Sequence, residues 1–235
     1  MTRDERPKSP EEIAALVAKH GAEADKFRAE AAWFASQARE KAVYAEKLEH
    51  DFMLVRRSFD REQRDNDENR IIDFTNSVDR ASAEACMNTL ARWRRESKDQ
   101  IVIRFSSPGG SVIDGLSLFD YIQSVRADGI RVVTCTLGYA ASMACILLQA
   151  GTERVMGANS HILIHEVSSG AIGKLSEMED ETKFVRRLND RLVGILAAKA
   201  KMSRAAIKNR AKRKDWWVSA DEAMKIGFCD RLGYA

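Results

Sequence analysis

The sequence predicts an α/β fold: a largely parallel sheet built from βαβ units, preceded by a long helical extension. Three observations carry that expectation. From about residue 70 onward, apolar runs rich in β-branched residues alternate with stretches of helical spacing, and such alternation calls for right-handed crossovers between parallel strands. Of the 13 glycines only Gly21 precedes Gly109, so residues 1–108 are built differently from the rest. Ahead of the alternation, apolar or small residues return every three or four positions over roughly fifty residues, the period of one helix face. A chain of 235 residues holds one core of ordinary size plus an extension. The division expected is an extension over 1–66 and an α/β domain over 67–235.

The extension opens at Ser9-Pro10-Glu11-Glu12, with an N-cap serine, proline at the first helical position and a glutamate three after the cap. Its stripe runs Ile13, Val17, His20, Ala24, Phe27, Ala31, Phe34, Ala38, Ala45, Leu48, Phe52, Val55 and Phe59, interrupted once by Lys41. Fifty helical residues span roughly 75 Å. A helix of that length cannot bury a stripe against itself, so a partner helix, a neighbouring subunit or a hairpin bend is needed. The alanine-rich seam fits an antiparallel or short coiled coil. Arg61 to Asn69 is almost wholly polar and reads as a linker or a helix end. Strands then follow at about 71–75, 101–105, 131–137 and 161–165, and helices at about 80–96, 112–127, 142–150, 175–200 and 203–212. Ser219-Ala220-Asp221-Glu222 is a second capping box that opens the last helix.

Three short segments carry candidate chemistry. Ser107-Pro108-Gly109-Gly110-Ser111 follows the strand Ile101 to Phe105; glycine lets the backbone approach a ligand closely, and freed amides there can face a developing oxyanion. The bland reading is an ordinary strand-to-helix turn. Gly138-Tyr139-Ala140-Ala141-Ser142-Met143-Ala144 follows the apolar strand ending at Leu137 and starts a helix. Ser142 is then either a simple N-cap or a nucleophile with room for an acyl group among small neighbours. A helix start favours negative charge, so the Met143 amide can join that of Gly110. The spacing is not the G-x-S-x-G elbow, because Ala144 stands where that motif has glycine. In Ser160-His161-Ile162-Leu163-Ile164-His165, strand alternation puts both histidines on one face. The other two, His20 and His50, lie in the extension, which leaves His161 or His165 as the base. His165, at the strand end beside a loop, is the better placed. A serine hydroxyl needs such a base, and the base an orienting acid, for which residue spacing alone leaves many candidates.

Together these residues resemble the proteolytic subunit of the Clp protease (ClpP), within the ClpP/crotonase superfamily. The resemblance runs from Arg70-Ile71-Ile72 to Gly227-Phe228-Cys229-Asp230 and rests on Ala140-Ala141-Ser142-Met143 and Ile164-His165-Glu166. It implies a ClpP/crotonase-like spiral of βαβ units, with Ser142 as nucleophile and His165 as base. It further implies Asp215, just before the Ser219-Ala220-x-Glu222-Ala223 segment, as acid, and Gly110 and Met143 as oxyanion donors. The implied protein is a serine endopeptidase that needs no metal or organic cofactor. It would assemble as a homo-oligomeric ring, a heptamer or double ring, and take extended polypeptide, with an AAA+ ATPase or phage capsid and scaffold proteins as partners. The chain departs from the family pattern in Glu166-Val167, where Gln-Pro is usual, and in a long helix where the family has a short axial hairpin.

Composition narrows the setting. Cys86, Cys135, Cys145 and Cys229 show no C-x-x-C spacing and read as reduced core residues of a cytoplasmic protein. Thr2-Arg3-Asp4-Glu5-Arg6-Pro7-Lys8 is unlike a signal peptide, and the longest apolar stretch, Leu137 to Ala150, is too short for a membrane span. A formal charge of +3 does not call for nucleic acid, and the basic run Lys208 to Lys214 reads as a solvated helix end. Two other classes remain: a crotonase-like acyl-CoA enzyme using the oxyanion site without a serine nucleophile, and a non-catalytic assembly protein on the same fold.

Overall fold

The computed structural model describes residues 9–170 and 172–235, and of Phe59 the backbone alone. The expectation drawn from Thr2 to Lys8 lies outside the described residues. The chain separates into two units, one ending at Gln63 and the other Arg64–Ala235.

The first unit is helical. Helix α1 (Pro10–Glu68) is unbroken for 59 residues. The Ser9 hydroxyl accepts from the Glu12 amide at 3.2 Å while the Glu12 carboxylate accepts from the Ser9 amide at 2.8 Å, the reciprocal cap expected there. The unbroken helix removes the hairpin bend, and of the two readings of Arg61 to Asn69 the helix end holds: α1 runs on to Glu68, because Arg, Glu and Gln are good helix formers whatever their polarity. Along α1 the side chains of Ile13, Val17, Phe27, Phe34, Leu48, Phe52 and Val55 are all exposed.

The second unit, Arg64–Ala235, is the α/β fold. Its elements are β1 (Ile71–Phe74), α2 (Arg80–Glu96), β2 (Ile101–Ser107), α3 (Val112–Ala127), β3 (Val132–Ala141), α4 (Met143–Leu148), β4 (Glu153–Met156), β5 (His161–Ile164), α5 (Leu175–Ala197), α6 (Arg204–Ala211), β6 (Trp216–Ser219), α7 (Ala220–Ile226) and β7 (Arg231–Leu232). The sheet runs β1-β2-β3-β4-β7, all neighbours parallel, while β5 pairs with β3 and β6 pairs antiparallel with β5. Alternation along β2 explains the layering. Ile101, Ile103 and Phe105 face the main core with Leu90, Trp93, Leu118 and Ile122, whereas Val102 joins Val133, Cys135 and Val155 on the other face. Each such burial is worth about 1.5–3 kcal/mol.

Three strands escaped the sequence reading. β4 and β6 have four residues each and β7 has two; β4 starts with Glu153-Arg154, β6 pairs two tryptophans with a serine, and none carries the β-branched run that marked β1 and β5. Conversely, β3 is longer than expected. It passes through Gly138, whose φ of 84° absorbs a bulge: Phe105 pairs with Thr136, but Ser107 pairs with Ala140. Before the bulge Val133 to Thr136 pair with β4; after it Tyr139 to Ala141 pair with β5. At the fork β3 keeps β2 on one side through Ala140 and Ser107 and exchanges β4 for β5 on the other.

The C-terminal segment is fastened by Arg154, of which 3% is exposed. Its guanidinium donates to the Gly227 carbonyl at 2.7 Å, to Gln149 at 2.8 Å and to Asp230 at 2.9 Å. All four cysteines are buried and unpaired, and burial pushes the Cys86 and Cys145 thiols up to about 12. In the basic run, Lys208 pairs with Asp190 and Arg210 with Glu222. No helix among the described residues is long and apolar enough to cross a membrane.

Candidate active site

Ser142 is the junction between β3 and α4. Its backbone stands at φ 53°, ψ −121°, a region that costs a non-glycine residue of order 1–3 kcal/mol. The turn is held by the Ser142 amide, which donates to the Leu163 carbonyl at 2.9 Å. In this conformation the hydroxyl does not cap α4, so the simple N-cap reading is overturned. The Oγ instead lies 2.7 Å from His165 Nε2. Although the sequence lacks G-x-S-x-G, the local form is the same device, a sharp strained strand-to-helix turn that pushes a hydroxyl outward.

Strand register brings the other two residues in. Parallel pairing of Ala141 with Leu163 puts Ser142 level with Ile164, one residue before His165. Antiparallel pairing of Ile164 with Trp216, carried one step further, sets His165 opposite Asp215. The Asp215 carboxylate lies 3.8 Å from His165 Nδ1 and is 65% exposed, against 30% for the histidine. That distance is ion-pair range and longer than a direct hydrogen bond. Glu166, next to the imidazole in sequence, does not compete for it: its carboxylate accepts from the Arg213 amide at 2.9 Å. Arg213 has a φ of 55°, so Glu166 secures the left-handed turn that delivers Asp215. His161 is exposed on β5, level with Tyr139 and Ser219, and does not line the cleft around Ser142.

The glycine turn abuts this junction. A Cβ on Gly109 would fall 2.4 Å from the Ala141 carbonyl and 2.8 Å from the Met143 amide nitrogen, so only glycine fits against the Ser142 turn. Gly110 forms a parallel bridge with Val78, in which Val78 N–H donates to the Gly109 carbonyl at 2.8 Å and its carbonyl accepts from Ser111 at 2.7 Å. In such a bridge the Gly110 amide faces the opposite side. Gly110 and Met143 line the same cleft as Ser142 and His165. Ile146, Ile164, Leu192 and Leu196 give that cleft an apolar wall, and Asn189 holds its far loop by accepting from the Val167 amide at 3.2 Å.

Residue spacing did not single out Asp215, because an exposed acid one step ahead of a four-residue strand has no local signature. Glu166 was visible only as a departure from a pattern. Its role in securing the Arg213 turn needed the fold.

An imidazole on an outward-pushed serine is chemistry shared by serine hydrolases as a class. The family model for Clp protease matches residues 56–234. The ATP-dependent Clp protease proteolytic subunit 3 of Rhodococcus jostii (strain RHA1) is 36% identical over 166 residues, covering 69% of this chain and 80% of that protein. The ATP-dependent Clp protease proteolytic subunit 2 of Tropheryma whipplei (strain Twist) is 31% identical over 156 residues, covering 66% and 84%. The chain belongs to the Clp protease family and is a serine peptidase.

Proposed function

We propose that Ser142, His165 and Asp215 form the catalytic triad of an endopeptidase acting on unfolded or assembly-associated polypeptide. The 2.7 Å contact between Ser142 Oγ and His165 Nε2 carries this reading. His165 takes the hydroxyl proton as Oγ attacks the peptide carbonyl. The amides of Gly110 and Met143 hold the oxyanion, and His165 returns the proton to the leaving amine. A water activated by the same imidazole then hydrolyses the acyl-enzyme. Asp215 holds the tautomer of His165 and stabilises its cation, closing the remaining gap when substrate orders the loop. The apolar wall of the cleft receives the acyl side chain.

The two relatives are named as proteolytic subunits of an ATP-dependent protease. For this chain the corresponding proposal is a homo-oligomeric ring that encloses the clefts in a reducing, cytoplasmic setting. Residues 1–66 stand as an extension to the 67–235 peptidase domain, and an ATPase or capsid-type assembly proteins present the substrate.

A serine-reactive fluorophosphonate, followed by intact-mass analysis of wild type and Ser142→Ala, tests the assignment. One adduct mapping to Ser142 and lost in the variant is expected, with peptide hydrolysis falling about 10⁴- to 10⁶-fold. An adduct that persists in Ser142→Ala, or peptide hydrolysis that survives it, would overturn the triad by placing the nucleophile elsewhere; no adduct together with coenzyme A binding would favour the acyl-CoA reading.

A further inference from the structure

The stripe on α1 repeats more strictly than helical amphipathicity requires. From Ile13 to Val55 the steps are alternately four and three residues without exception once Lys41 is counted as a member. A strict seven-residue repeat sustained over this length imposes a left-handed supercoil with a second helix. Taking Ile13 as d, the a positions are Val17, Ala24, Ala31, Ala38, Ala45 and Phe52; the d positions are Ile13, His20, Phe27, Phe34, Lys41, Leu48 and Val55. Small residues thus fill the middle a positions, while the d positions are large or polar.

That asymmetry selects a partner and a direction. In a parallel pair like meets like, so Ala31 would face Ala31 across a void, and Lys41 would face Lys41 as like charges. An antiparallel pair puts a opposite d. Since α1 is one unbroken helix, it cannot fold back as its own partner, and α5, with 23 residues, is too short to match a stripe that runs from Ile13 to Val55. A second copy, aligned so that facing residue numbers add to 72, places Phe27 opposite Ala45, Phe34 opposite Ala38, Lys41 opposite Ala31 and Leu48 opposite Ala24. Each central layer then joins one large and one small side chain, the way packed layers reach uniform density. The two polar d positions are matched as well. At the same level the flanking g residue of the other copy is Glu30 beside Lys41 and Asp51 beside His20.

We infer that α1 pairs with α1 of a second copy as an antiparallel two-stranded coiled coil centred on residue 36. Phe27, Phe34 and Phe52 are 71%, 65% and 67% exposed and become its anchors. At about 150–250 Å² for a buried aromatic side chain, six rings from two copies supply a large part of the about 1,200–2,000 Å² of a stable interface. This pairing rests on α1 alone and holds whether or not the triad is correctly assigned.

Cysteine cross-linking in the full-length protein tests both direction and register, because the four native thiols are buried. Gln37 lies at g beside the two-fold axis, so Gln37→Cys should oxidise to a band of twice the chain mass. Leu48→Cys alone should stay at the single-chain mass, yet cross-link when mixed with a differently tagged Ala24→Cys protein. Cross-linking of Leu48→Cys with itself would establish a parallel pair and overturn the inference. So would failure of Gln37→Cys to cross-link, or a Gln37→Cys dimer with no Ala24–Leu48 product, which would mean another register.

Discussion

Leu90, Trp93 and Ile101 in the Arg64–Ala235 unit expose 1% of their surface or less, whereas Phe27, Phe34 and Phe52 of α1 keep about two-thirds of theirs. Both regions are written in apolar periodicity. In the α/β unit the buried side chains gather into two clusters drawn from elements distant in sequence, and the same strand registers that close the core also bring Ser142, His165 and Asp215 close together. Damage to packing there reaches the chemistry. The apolar side chains of α1 have no cover within their own unit, so as they stand they add little to stability. One region is stabilised by contacts within its own fold; the other leaves its apolar stripe exposed, the surface that the proposed pairing of α1 would cover.

The largest effect that sharpens this contrast is at Asp215. Asp215→Asn should cut peptide hydrolysis by about 10²-fold or more, short of the roughly 10⁴-fold seen where such an acid is buried and fully engaged. Steady-state kinetics beside a thermal melt checks it, and the melt should not move. Next comes Arg154→Met, which leaves the Gly227 carbonyl, Gln149 and Asp230 without their shared donor. It should lower the stability of the α/β unit by about 3 kcal/mol in urea titration, with the helical signal of α1 retained. If both regions melted together, the separation drawn above would fail.

Acid should act on the α/β unit as well. Hydrogen bonding from Arg231, with Arg131 behind it, holds the Glu153 carboxyl below its ordinary value of 4.5. The Arg92 guanidinium, helped by Trp93, holds Asp67 below 3.8. Because both folded values lie below the unfolded ones, their stabilisation is complete above about pH 4.5 and is lost as pH falls through the lowered values. Core fluorescence followed from pH 5 downward should show this, and Glu153→Gln should shrink the acid dependence. The smallest effect belongs to Phe27→Ala, which should change unfolding of the α/β unit by less than about 0.5 kcal/mol. A larger change would mean that the stability of the α/β unit depends on Phe27 as well as on the α1 end that carries Asp67.

The parts of the molecule legible in the sequence are those whose signal is local. The α1 start was readable from one capping box, and the longer strands from β-branched runs. Ser142 and His165 were readable as candidates because each ends an apolar strand beside small or polar residues. What could not be read depends on pairing. β4, β6 and β7 are strands only because a neighbour offers them hydrogen bonds, and Asp215 faces the imidazole only because β6 runs antiparallel to β5. Polar character left Arg61 to Asn69 open between linker and helix end, since charged side chains favour a helix as readily as they favour solvent; the segment is the end of α1. The left-handed Ser142 was hidden because its strain is supplied by the turn around it.

That strain sets a rule about shape. At positive φ a side chain branched at Cβ meets its own backbone, while a residue with a single γ atom does not. Cysteine at position 142 inherits the direction of the hydroxyl from the main chain, and threonine, though chemically the nearer relative of serine, is excluded by its methyl group. The position is therefore permissive toward the element that attacks and strict about the geometry that carries it.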